Sequence, residues 1–189
     1  MLQTTRRQQI LAAASKVFGE MGYHKAKVKE IAVRAGIGKG TVYEYFSSKR
    51  ELFEETIFHV LEGSFKKASD SVNGKRDPVE KLKALIDLQA SLLERDGSAA
   101  ALFMKNSGDI QTEMLDRLLA HRKKMLDFIV GIIEEGIEKK VFRQVDSYLA
   151  AILFMGVLQE AGAISCSGSR ISCRTIDSIL DYMINGIGK

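Results

Sequence analysis

The stretch Ala35 to Phe46, AGIGKGTVYEYF, constrains the fold more than any other part of the chain. Just before it, Val28, Ile31, Ala32 and Ala35 recur at a spacing that puts them on one face of a helix. Gly36 suits the left-handed conformation that ends a helix, and Ile37 supplies an apolar plug for the turn. A second short helix starts at Lys39. It turns Val42 and Phe46 inward and leaves Lys39, Thr41, Tyr43 and Tyr45 facing mostly outward. Two short helices joined by a tight Gly-containing turn make a helix-turn-helix, whose second helix can enter a DNA major groove. The same spacing also suits an ordinary helical hairpin inside a core.

Charge favours the first of these readings. Residues 1–50 hold ten Lys and Arg against three acids, a net of +7, whereas the rest of the chain holds 18 against 21. A basic first quarter on a mildly acidic remainder fits phosphate attraction in one module and a different task in the other. The expected division is a DNA-binding domain over 1–50 and a helical effector-binding and dimerisation domain over 51–189.

A content of 46% hydrophobic and 28% charged residues in 189 predicts a folded soluble protein of one or two domains. Met1 to Gln9 is polar and basic without an apolar run behind it, so no signal peptide is expected. The longest apolar run, Leu149 to Leu158, is about half of what a membrane span requires. Cys166 and Cys173 lie in a Ser/Gly-rich connection without histidines, which argues against a zinc site or a disulfide framework and for reduced thiols in the cytoplasm. One proline, no tryptophan and helical periodicity throughout predict an all-α fold of about nine helices.

The first helix aligns Ile10, Leu11, Ala14, Val17, Phe18 and Met21 and ends at Gly22, completing a three-helix head. Ser48 and Glu51 form a capping box for a fourth helix that carries Leu52, Phe53, Ile57, Val60, Leu61, Phe65 and Ala68 and links the two domains. Asp77-Pro78-Val79-Glu80 starts a fifth helix. A short helix follows over 99–105, then a long one over 110–140 whose middle, Met125 to Ile133, belongs between other helices. The last two helices are apolar beyond what one core requires. Leu149, Ile152, Leu153 and Gly156, with Ile176, Ile179, Leu180, Met183 and Ile184, are expected to form a twofold four-helix dimer interface. The alternative is that both helices are internal.

The residues resemble the tetracycline-repressor (TetR) family of bacterial regulators. The resemblance rests on Ile10 to Ala14, Phe18, Gly22-Tyr23, Val28, Ile31-Ala32, Ala35-Gly36-Ile37, Lys39 to Tyr43, Tyr45-Phe46, Lys49 and Leu52. It covers about the first 55 residues; beyond them there is only a weak signature at Gly136, Phe142-Arg143 and Asp146. It implies a nine-helix homodimer with a DNA-binding head and an effector domain, usually a repressor released by a small molecule. Two positions depart from the family pattern. Lys27 stands where Ser or Thr commonly caps the second helix, so that helix start is expected to be weaker by about 1 kcal/mol. Gly38 replaces a common capping Ser at little cost.

Lys39, Thr41 and Tyr45 are candidates for the base-facing surface, and Gly40 allows close approach of the backbone to DNA. The resemblance makes Tyr43 and Lys49 phosphate clamps. Lys27 can reach a phosphate by charge, and Lys29 sits where the second helix could reach DNA. The other reading of Tyr43 is packing under the helix. Glu44 is expected to be exposed. Candidates for an effector pocket are Phe65, Gln89, Phe103, Leu118, His121, Met125, Phe128, Phe154 and Gln159, a few polar groups among aromatics and methionines; most of them read first as plain core. No catalytic or metal-binding constellation is found, no cofactor is expected, and an enzyme is not predicted. The partners expected are a double-stranded DNA operator, a largely apolar effector and a second copy of the chain, without a membrane. Two rival readings stay open: a helical ligand-binding or scaffold protein with a basic protein- or membrane-binding head, and a DNA-binding dimer without an effector.

Overall fold

Every element that the computed structural model describes is an α-helix; the described residues are 5–95 and 112–166, with Ser178 and Asp181. The helices are α1 (Arg6–Lys25), α2 (Val28–Arg34), α3 (Lys39–Tyr45), α4 (Lys49–Val72), α5 (Pro78–Arg95), α6 (Thr112–Glu138) and α7 (Ser147–Cys166). The all-α expectation holds, with seven helices among the described residues. The expected helix over 99–105, Phe103, and the interface candidates Ile176, Ile179, Leu180, Met183 and Ile184 lie outside the described residues, as do the side chains of Gln159 and Cys166. No described helix is long and apolar enough to cross a membrane.

The chain divides into two units, residues 1–64 with 99–114, and residues 65–98 with 115–189. α4 is continuous through that boundary.

The core of the first unit follows the apolar stripes. Ile10, Leu11, Ala14, Val17 and Phe18 of α1 are buried, as are Val28, Ile31 and Ala32 of α2, Val42 of α3, and Leu52, Phe53 and Ile57 of α4. The buried Thr56 hydroxyl donates to the Leu52 carbonyl at 2.5 Å, which removes the cost of an unpaired polar group. Met21 does not complete the α1 stripe; it is 40% exposed. The backbone departs from helical geometry at Gly22 (φ 73°, ψ 166°), so the regular helix breaks where expected, and one further turn carries the chain to Lys25. The kink turns Tyr23 inward, with its ring 4.9 Å from Phe53 and 6.2 Å from Phe18, so Tyr23 fills the role expected of Met21.

The α4 capping box is also displaced by one residue. Ser48 Oγ accepts from the Glu51 amide at 3.1 Å, as expected, but the Glu51 carboxylate reaches past Ser48 to the Ser47 amide at 2.7 Å and the Ser47 hydroxyl at 2.5 Å. Those bonds, first the one from the hydroxyl, hold the Glu51 carboxyl below its ordinary value.

In the second unit Leu82, Leu85 and Ile86 of α5, Leu126, Ile129, Ile132 and Ile133 of α6, and Ala150, Ala151, Phe154 and Met155 of α7 share one buried cluster. Asp77 caps α5 by accepting from the Val79 amide at 3.0 Å, and Asp146 caps α7 by accepting from the Leu149 amide at 2.9 Å. α6 ends in a Schellman turn: the Val141 amide donates to Gly136 at 2.9 Å and the Lys140 amide to Ile137 at 3.0 Å, with Lys140 at φ 59°. The turn drives Phe142 back onto Gly136, where a Cβ would lie 2.1 Å from the ring. In the sequence signature Gly136 therefore leaves room for the Phe142 ring, Phe142 anchors the core, and Asp146 caps the next helix.

Candidate nucleic-acid interface

The turn between α2 and α3 is built by backbone hydrogen bonds. The Ile37 amide donates to the Ala32 carbonyl at 3.0 Å and the Gly36 amide to Val33 at 3.1 Å, with Gly36 at φ 67°. This Schellman arrangement needs a residue without a Cβ penalty at 36, and Gly36 supplies it. Ile37 is half-buried in the turn, as expected.

α3 is held from one side only. Val42 and the following Phe46 are fully buried, an apolar attachment of ~1.5–3 kcal/mol each. Lys39, Gly40 and Glu44 are exposed, Tyr43 and Tyr45 are 44% and 42% exposed, and Thr41 is partly exposed. Tyr43 leaves part of its ring open to a partner and packs with the rest. The Lys39 ammonium lies 5.7 Å from the Tyr43 ring centroid, one turn along the same face. A Cβ added at Gly40 would meet no atom within 4 Å, so nothing inside the protein requires a glycine there.

The neighbouring cations differ in how freely they can act. Lys29 and Lys27 are exposed on α2 and at its start. Lys27 offers no acceptor to cap α2; the Glu30 carboxylate does half that work by accepting from the Lys27 amide at 3.0 Å. The helix amides that a Ser or Thr at 27 would cap still lack a side-chain acceptor, so the loss expected at Lys27 stands. Lys49 is committed within the protein: its ammonium sits 4.6 Å over the Tyr23 ring and donates to the His24 carbonyl at 3.3 Å. Burial pushes its pKa down from the ordinary lysine value, with Glu30 acting in the opposite direction.

Two ion pairs brace this surface, and the sequence reading named neither. Arg7 of α1 bonds Glu55 of α4 at 2.6 Å and lies 5.1 Å over the Phe46 ring. Arg34 of α2 bonds Glu20 of α1 at 2.6 Å, a contact that lowers the Glu20 pKa and raises that of Arg34. Both pairs are exposed enough to contribute mainly orientation.

The other candidates fall into two groups in the second unit. The Phe65 ring stands edge-on to Phe128 at 5.6 Å and to His121 at 6.4 Å, and these three are brought together half-buried. Met125 and Phe128 pack against the buried cluster, Leu118 is half-buried, and Gln89 donates to the Leu158 carbonyl at 3.3 Å. Phe154 is fully buried within the cluster. Lys124, absent from the candidates, lies 4.2 Å over the Phe65 ring; its position three residues after His121 on one helix was the sequence signal for it. On α7, Leu149 and Leu153 are 54% and 60% exposed and Gly156 is exposed, while Ile152 is half-buried against the core.

Comparison with known proteins gives this geometry a context. Residues 10–56 match the model of bacterial regulatory proteins of the tetR family, and residues 75–163 match the C-terminal domain of tetracyclin repressor-like proteins. The fatty acid metabolism regulator protein of Bacillus subtilis is 30% identical over 157 residues, covering 80% of this chain and 79% of that protein. The transcriptional repressor KstR2 of Mycobacterium tuberculosis is 27% identical over 140 residues, covering 74% of this chain and 70% of its own. The structure of the transcriptional regulator FadR from Bacillus subtilis in complex with stearoyl-CoA superposes with a TM-score of 0.78 at 26% identity, covering 95% of this chain and 98% of that one. With a helix-turn-helix whose second helix is attached by two apolar side chains and otherwise turned outward, and with both halves matching the same kind of regulator, the chain belongs to the tetR family of bacterial regulatory proteins and is a DNA-binding transcriptional regulator.

Proposed function

We propose that the chain acts in the cytoplasm as a homodimer that holds a near-palindromic operator and leaves it when a small, largely apolar effector binds the second unit. Lys39, Thr41 and Tyr45 read base edges, with Gly40 letting the backbone approach the DNA closely, while Lys27, Lys29 and Tyr43 fix the register on phosphates and Lys49 joins them by exchanging its bond to the His24 carbonyl for a phosphate. The one-sided attachment of α3 carries this reading, because it leaves the whole polar face of a short helix for a partner. Dimerisation through the exposed Leu149, Leu153 and Gly156 face of α7 supplies the second α3, with recognition helices ~34–36 Å apart. The effector bears a long acyl chain. The Bacillus relative's name as a fatty acid metabolism regulator and the stearoyl-CoA held by its structural neighbour support that choice. Binding shifts α4, the continuous helix from Lys49 to Val72, and couples the two sites by ~1–3 kcal/mol. The chain acts by binding, as a repressor, and not as an enzyme.

Substitution of the base-facing residues tests the assignment. Lys39→Ala and Thr41→Ala should each weaken operator binding by ~1–3 kcal/mol and weaken random-DNA binding much less. Gel-shift titrations that give equal losses on both DNAs would remove these residues from the base-reading role.

A further inference from the structure

The Phe65, His121 and Phe128 cluster is graded from apolar to charged. Phe128 and Met125 pack on the buried core of the unit, Phe65 stands edge-on to Phe128 at 5.6 Å, and the exposed Lys124 ammonium lies 4.2 Å over the Phe65 ring. From Arg117 to Leu126, α6 carries four cations and no acid, and Phe65 is followed by Lys66 and Lys67 on α4. Within that run Lys123 bonds Asp127 at 2.6 Å, and Lys124 lies over the Phe65 ring of α4.

We propose that Lys124 reads the anionic head group of an amphiphilic effector whose chain lies along Phe65, Met125 and Phe128; this rests on the effector reading above and assigns its polar end. An ammonium held over an aromatic face is positioned while still open to solvent, and a carboxylate or phosphate oxygen binds it better than the ring does. Capture of Lys124 by the head group withdraws the cation from Phe65. Phe65 belongs to α4, the helix that runs without a break from Lys49, so the exchange alters what holds that helix at the effector end. The site selects anionic over neutral amphiphiles of equal chain length. Carboxylate and thioester-phosphate head groups share this chemistry.

Isothermal titration of the full chain with oleoyl-CoA, oleate and oleyl alcohol tests the assignment. The wild type should bind at least one anionic probe about 10-fold more tightly than the alcohol. Lys124→Met, which keeps the apolar stem against Phe65, should lose that 10-fold while leaving alcohol binding unchanged, and Lys124→Arg should recover it. Tighter binding of oleate than of oleoyl-CoA would make the head group a carboxylate; the reverse would make it the phosphates of the thioester. Equal losses on anionic and neutral probes, or no loss in Lys124→Met, would overturn the role of Lys124 while leaving the acyl-chain effector standing. A wild type that binds none of the three probes would sink the acyl-chain reading itself, and the head-group assignment with it.

Discussion

Leu153→Glu should convert the protein to monomers and lower operator affinity by ~10²–10⁴-fold. Leu153 is 60% exposed and Leu149, one turn earlier, is 54% exposed, so more than half of each apolar side chain on this α7 face is left open. In a twofold interface each substitution enters twice, and burying two unpaired carboxylates among apolar side chains outweighs what the remaining contacts contribute. The loss of DNA affinity follows from the loss of the second head, because one α3 alone forgoes the high local concentration of its twin. Leu153 is exposed in the single chain, so the helical circular dichroism signal should persist. Sedimentation velocity showing an unchanged dimer with wild-type operator affinity would contradict the assignment of this face.

Gly136→Ala is expected to destabilise the protein by about 3 kcal/mol, against the ~1 kcal/mol gain that helix propensity alone would give. The added Cβ would stand 2.1 Å from Phe142 Cδ2 and 2.3 Å from Cε2. The ring cannot swing clear, because Phe142 is buried and its amide donates to the Gly136 carbonyl at 3.0 Å. For a chain of this size the melting temperature should fall by roughly 6–12 °C. Most of that loss should vanish when the same change is made in a Phe142→Ala background, since the two residues act on one contact. A Gly136→Ala protein as stable as the wild type would show that the ring has room to move.

The parts of the molecule legible in the sequence are those governed by local rules. The αL position at Gly36, the inward Val42 and Phe46, and the Asp77 cap follow from helix periodicity and turn chemistry, and each appears where those rules place it. Tyr23 in place of Met21 was not legible, because a kink at Gly22 rotates the stripe by an amount that a regular period does not encode. Glu51 bonding Ser47 in place of Ser48 is a shift of one residue, within the latitude of a flexible carboxylate. Contacts between helices distant in sequence, such as Arg7 with Glu55, depend on helix crossing and have no local signature. On α7 the apolar run beyond what one core requires corresponds to the exposed Leu149 and Leu153, the face proposed above for dimerisation.

Pressure from the acid side should reach the head through its braces. The Glu20 and Glu51 carboxyls are held below the ordinary carboxylate value, by Arg34 and by Ser47 respectively, so the stabilisation they provide is present above that value. It is lost as pH falls through their lowered folded-state values. Thermal melts should therefore show a stability loss below about pH 4 that is smaller in Glu51→Gln than in the wild type.

Selection from a randomised double-stranded DNA pool would show whether two copies of α3 act together on one site. Two outward-facing copies of α3 related by a twofold axis should enrich an inverted repeat whose half-site centres lie about one helical turn apart, ~34–36 Å. The bound fraction should fall for Thr41→Ala on that sequence and not on scrambled DNA. Enrichment of an unsymmetrical site, or no enrichment over the starting pool, would contradict the account.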